Sequence, residues 1–257
     1  MTAIERTGTS ATYYGFSHVA RMEWVKLRSL RSTWWTLAVT IAAAIGIAVL
    51  VGLKTKNAAS DLTNNALGGV APGLLFTGVL GVLVMTSEYT SGMIRSTLAA
   101  APNRSLLLAA KAAVFGTVSL VVGETAAFAA FFAGTTSLPK ALAGPTLGQP
   151  GVLRAVVLAG AGYCLIGLIG IGLGAIIRHT AAAVVAVVGG VFVAGTLLVT
   201  VSKSAGSYGP FSIVANSLTT TQRLPHALSP WSGLGMLCLY ASLSLGIGGW
   251  LLVRRDT

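Results

Sequence analysis

The sequence predicts an all-α, polytopic membrane protein: six transmembrane helices preceded by an N-terminal amphipathic helix at the membrane surface. Three observations predict it. Only 9% of the 257 residues are charged while 54% are hydrophobic, whereas a soluble domain carries roughly 25% charged residues. So few charges cannot cover a water-facing surface. The apolar residues also run on continuously for about 20 residues at a time, the length needed to cross a hydrocarbon layer, instead of recurring at the spacing of one buried helix or strand face. Finally, the basic residues behind the net charge of +11 collect at the ends of the apolar runs. There they act as topology signals, not as the one-sided basic stripe of a nucleic-acid binder.

Residues 16–31 contain no helix breaker. On a helical wheel Phe16, Val19, Leu27 and Leu30 share a broad face, and Arg21 and Arg28 oppose it. That pattern predicts an interfacial helix, with Glu23, Trp24, Lys26, Arg28 and Arg31 as its polar and amphipathic positions. Glu23 and Lys26 intrude on the apolar face at a spacing that lets them pair with each other. The same segment could instead simply rest on anionic lipid.

The predicted spans are 34–53, 67–86, 107–135, 153–177, 181–201 and 233–253, all within a single transmembrane domain covering 1–257. The fourth and fifth are separated only by Arg178, His179 and Thr180, so one bent unit is the alternative there. The first run follows a basic segment and is too long for a signal-peptide core, so the N-terminus is expected to be retained. Six spans put both termini on one side. Arg6, Arg21, Lys26, Arg28, Arg31, Arg95, Arg104, Lys111, Arg178, Arg254 and Arg255 then share that side, with Lys54, Lys56, Lys140, Arg154, Lys203 and Arg223 opposite. The excess makes the shared side cytoplasmic by the positive-inside rule. Trp34, Trp35 and Trp250, each near arginines, suit the headgroup boundary. The outer segment 202–232 is broken by Pro210, Pro225 and Pro230; it reads equally as a re-entrant or surface helix and as a plain loop.

Several chemistries are excluded. No histidine precedes a glutamate, so the zinc-protease pattern is missing. No serine sits in a nucleophile elbow. No lysine follows a glycine, so the phosphate-binding loop that ends in Gly-Lys cannot form; this chain is expected to bind no cofactor, no metal and no ATP, and to have no catalytic residue. Cys164 and Cys238 lie inside apolar runs and read as packing residues. Gly170 and Gly174 are four apart, on one helix face, where small residues let helices approach closely in lipid.

Two features carry functional weight. The segment 88–106 leaves the second span as Glu88-Tyr89-Thr90-Ser91-Gly92-Met93-Ile94-Arg95-Ser96-Thr97-Leu98, with Pro102, Arg104 and Lys111 following. Gly92 permits a turn, and Met93, Ile94 and Leu98 offer apolar anchors for another protein's groove. The second feature is Glu124, the one acid well inside a predicted span. A carboxylate there costs about 2.5–3.5 kcal/mol and is by default a functional candidate; it either faces a solute path or is hydrogen-bonded to a neighbouring helix.

The run Glu88-Tyr89-x-x-Gly92-Met93-Ile94-Arg95 with Pro102, Arg104 and Lys111 resembles the first cytoplasmic loop of the type-2 permeases of ATP-binding-cassette (ABC) exporters. The run Glu23-Trp24-x-Lys26-Leu27-Arg28-Ser29-x-Arg31-Ser32-Thr33-Trp34-Trp35 is similar to the N-terminal segment of many bacterial members. The resemblance spans the chain in layout and about thirty residues in motif. It implies a bacterial plasma-membrane permease subunit that dimerises with itself or a related chain. It also implies a separate ATPase subunit, which holds ATP and magnesium. By the same resemblance Glu88, Tyr89, Gly92, Met93, Ile94, Arg95 and Leu98 form the ATPase-coupling helix, and 16–31 the connecting helix. The alternatives are a stand-alone ion-coupled transporter using Glu124 and a membrane anchor or assembly protein without transport.

Overall fold

The computed structural model describes residues 15–56, 61–101, 103–220 and 227–255. Arg6, Pro102, Arg223, Pro225, His226 and Asp256 lie outside them. The described residues form helices and no strand. Five helices are long and apolar enough to cross a membrane: α2 (Arg31–Lys54), α4 (Val70–Thr90), α6 (Arg104–Thr136), α7 (Val152–Ile177) and α12 (Pro230–Arg255). A short helix, α1 (Phe16–Ser29), precedes them; α3 (Leu62–Ala66) and α5 (Met93–Ala100) lie between them.

Helix α7 is the axis. In its most apolar stretch 67% of residues are buried, against 28% in α2 and in α12. It packs on α4, α6 and α12 at once, and small residues allow this: a Cβ on Gly170 would overlap the Gly78 carbonyl, and one on Gly174 would meet Met85 at 3.0 Å. Both glycines therefore face α4. Buried hydroxyls in these helices bond back to their own carbonyls, Thr77 to Gly73, Thr86 to Val82 and Ser119 to Phe115, which satisfies them without breaking the apolar surface.

One end of the bundle, here called the base, gathers arginines at helix C-termini. Arg104 donates to the Leu252 carbonyl at 3.0 Å, Arg178 to Leu251 at 3.2 Å, and Arg255 to Ile176 at 3.3 Å. Each sets a cation against the negative end of a helix dipole, and Leu252 and Ile176 are among the last four carbonyls of their helices, which lack intrahelical donors. The junction after α7 is a true break. Arg178 is left-handed at φ 59°, and the extended His179 accepts from the Ala182 N–H to start α8 (Thr180–Ala186).

From there the chain runs through a π-helical stretch, Val187–Val193, into α9 (Ala194–Val201). Expected as one span, 181–201 is thus an interrupted helix, with Gly189 and Gly190 in the π-helical part. The segment 202–232 folds back into the bundle as α10 (Lys203–Gly206) and α11 (Pro210–Ser217). Phe211 stacks 5.3 Å from Phe192, the Tyr208 carbonyl accepts from Tyr240 partway along α12, and Ile213 and Val214 are buried. Both short helices thus pack against the rest of the described bundle; residues 221–226 lie outside the description. At this far end Asp61 caps α3 and also accepts from the Thr220 N–H at 2.6 Å, while Arg154 donates to the Thr219 carbonyl.

Candidate functional site

At the base, four charges from three helices close into a ring. Glu23 and Lys26 come from α1, Glu88 from the last turn of α4, and Lys111 from the second turn of α6. Lys111 Nζ donates to Glu23 Oε2 and, at 2.7 Å, to Glu88 Oε1. Lys26 Nζ donates to Glu23 Oε1 at 2.9 Å, to Glu88 Oε1 at 3.0 Å and to the Thr97 hydroxyl of α5 at 3.0 Å. Glu23 and Glu88 are each 4% exposed and Lys111 is 3% exposed. Charges alternate around the ring and sum to zero. Burying them is tolerable only because each has opposite partners; removing one partner from such a cluster costs about 3–5 kcal/mol.

Lys26 lies outside the long helices and is the most open member, its side chain 24% exposed. Burial pulls its pKa down, but the hydrogen bond and charge of Glu23 and the charge of Glu88 outweigh that and hold it above the ordinary lysine value.

The ring dictates how α1 sits. Its buried residues are Val19, Glu23 and Leu27, a stripe that packs on α6, while Phe16 and Leu30 are 47% and 48% exposed. The wheel of the sequence gave Phe16, Val19, Leu27 and Leu30 one common face. The real buried face is centred on Glu23, because that carboxylate's partner beyond α1, Lys111, lies on α6. The helix also ends at Ser29, where Leu30 turns extended, short of the expected Arg31.

The segment expected to meet a partner divides in two. Helix α4 continues to Thr90, so Glu88 points into the bundle and not outward. Tyr89 is half-buried beneath the Arg178 guanidinium, 5.3 Å from its ring centre. Gly92 then turns at φ 70°, a left-handed conformation that glycine adopts without a Cβ clash, and α5 follows. On α5, Met93 and Arg95 are exposed, Ile94 is half-buried, and Leu98 packs inward with Val19, Leu107 and Ala110. Trp24, Arg28 and Arg31 are exposed, and the Arg28 carbonyl accepts from the Trp34 indole. The structure thus brings together Glu23, Lys26 and Glu88 and adds Thr97 and Lys111. Lys111 had a legible signal: it is a lysine inside an apolar run, as informative as Glu124.

Glu124 stands apart, thirteen residues or about 20 Å further along α6. It is half-buried. Its carboxylate lies directly against Gly160 of α7, where a Cβ would overlap it, and Oε2 is buried with no hydrogen-bond partner among the described residues.

No family model matches the chain, and no curated protein matches its sequence.

Proposed function

We propose that the chain is the membrane-spanning permease subunit of an ATP-driven exporter of the ABC type, with both termini in the bacterial cytoplasm and Thr180–Val201 as the fifth of six crossings. The observation that carries this reading is α5: a short helix with Met93 and Arg95 exposed, tied from behind through Thr97 to the ring that joins α1, α4 and α6. A push on α5 from an ATPase would reach three helices at once through short charge-assisted bonds, which is what a coupling element between two spans must do. The excess of basic residues at the base, and the resemblance of both motif segments to type-2 permeases, support the same orientation.

A co-purification from native membranes in mild detergent tests it, with wild type beside Met93→Asp and Arg95→Glu. Both side chains are exposed, so neither change disturbs the ring. An ATPase subunit is expected with wild type and lost with the variants while their melting temperatures hold. Absence of any ATPase from the wild-type preparation would remove the exporter reading. In that case Glu124, with its unpartnered buried oxygen, supports the second reading, an ion-coupled transporter.

A further inference from the structure

The face of α1 turned away from the ring borders a groove of about 380 Å3 along α6. Its walls include Ala20, Arg21 and Trp24 on one side and Ala113, Val114 and Thr117 on the other. The Thr117 hydroxyl already donates to the Ala113 carbonyl at 2.8 Å, so the floor makes no polar demand. Beyond Thr117 the exposed stripe of α6 continues through Leu120 and Val121, 39% and 61% exposed. The track from Ala113 to Val121 runs about 12 Å along the helix.

Charge separates the mouth of this groove from its floor. Glu23, the one acid on α1, is consumed by Lys26 and Lys111. Arg21, at the mouth, is exposed and forms no ion pair or hydrogen bond with any described residue. Trp24 stands beside it, 40% exposed, its indole N–H donating to no described residue.

We infer that this groove is a binding site for an anionic phospholipid of the cytoplasmic leaflet, with the phosphate on Arg21, the glycerol region beside Trp24 and one acyl chain along Ala113, Thr117 and Val121. The inference rests on the reading that α1 lies at the cytoplasmic membrane surface. A guanidinium without a counter-ion, an amphipathic ring and an apolar track that leads away from both match the three parts of such a lipid in order. The inward neutralisation of Glu23 makes the outer face of α1 purely basic and selects a headgroup of net negative charge.

Native mass spectrometry of the delipidated protein, titrated with dioleoylphosphatidylglycerol or dioleoylphosphatidylcholine, tests the site. Wild type is expected to retain one phosphatidylglycerol in preference to phosphatidylcholine. Arg21→Gln is expected to weaken that adduct about fivefold, the worth of one basic residue at an anionic surface, and to leave phosphatidylcholine unchanged. Arg28→Gln, on the same helix but outside the groove, keeps the wild-type preference. Equal losses in the Arg21 and Arg28 variants would mean diffuse attraction to a basic helix and overturn the site. So would a Trp24→Ala variant that changes the dimer fraction but not lipid retention, since a second copy would then fill the groove. Lipid selectivity lost in a protein that still brings down its ATPase counts against this site alone; ATPase loss with selectivity intact counts against the exporter reading alone.

Discussion

Two glutamates sit on the long helices among the described residues; Oε2 of each is buried without a hydrogen-bond partner there, but the rest of their surroundings differ. Glu88, at the base, touches two lysines and is held with Glu23 in a neutral ring that fastens α1, α4, α5 and α6. Glu124, midway along α6, forms no ion pair with any described residue, and its carboxylate is pressed onto the backbone of Gly160. The first carboxylate is committed to structure and loses stability if anything near it changes. The second forms no ion pair with any described residue, so its replacement disturbs fewer contacts. The difference teaches that burial of an acid does not by itself mark a site; what matters is whether the acid's partners are already within the chain.

The sharpest way to break this contrast is to remove one member of the ring. Lys111→Met leaves Glu23 short of a partner and Glu88 with Lys26 only, and should cost about 3–5 kcal/mol, read as a large fall in thermal stability in detergent. Replacing Glu23 by glutamine in the same chain should recover part of it, since Lys26 and Glu88 then remain as a balanced pair. A Lys111→Met protein as stable as wild type would mean that the ring is open to water. Next in size is the Glu124 contact. Gly160→Val places a branched side chain where the carboxylate lies, and should cost about 1–3 kcal/mol by overpacking. Adding Glu124→Ala should return about 1 kcal/mol of this, a coupling typical of residues in contact. Strict additivity of the two changes would show that they do not touch.

The helical, membrane-type architecture was legible because it rests on composition and run length, which no tertiary contact can reverse. Single-residue environments were less so. Glu23 and Lys26 could be recognised as a pair from their spacing on one helix, but their third and fourth partners, Glu88 and Lys111, are brought in by packing between helices remote in sequence. Glu88 looked like an exit marker because a hydropathy window stops at the first polar residues, whereas α4 continues to Thr90 and turns Glu88 inward. The π-helical stretch Val187–Val193 has no sequence signature of its own beyond Gly189 and Gly190, which read equally as helix-packing residues. Asp61 and Thr220, 159 positions apart, could be joined only by the fold.

A smaller effect is expected at Glu124 alone. Glu124→Gln keeps the shape of a side chain that forms no ion pair with any described residue, so its stability should move by less than about 1 kcal/mol, measured by the same melt. Against Lys111→Met this is the direct test of the contrast. If Glu124 instead serves an ion-coupled transporter, the change appears in the pH dependence of flux while the melt stays where it was.

The smallest effect lies in pH. Because Lys26 is held above the ordinary lysine value, the folded state keeps its proton more tightly than the unfolded chain does. Its contribution is therefore complete below the ordinary lysine value and is lost as pH rises through the raised one. Stability should thus be flat with respect to Lys26 across neutral pH and fall only on the alkaline side. Lys26→Met should remove that part of the alkaline fall while lowering stability at neutral pH, since Glu23 and Glu88 then share Lys111 alone. An alkaline limb identical in the two proteins would mean that Lys26 loses its proton no later in the fold than in the open chain, and the ring would reduce to Lys111 between its two carboxylates.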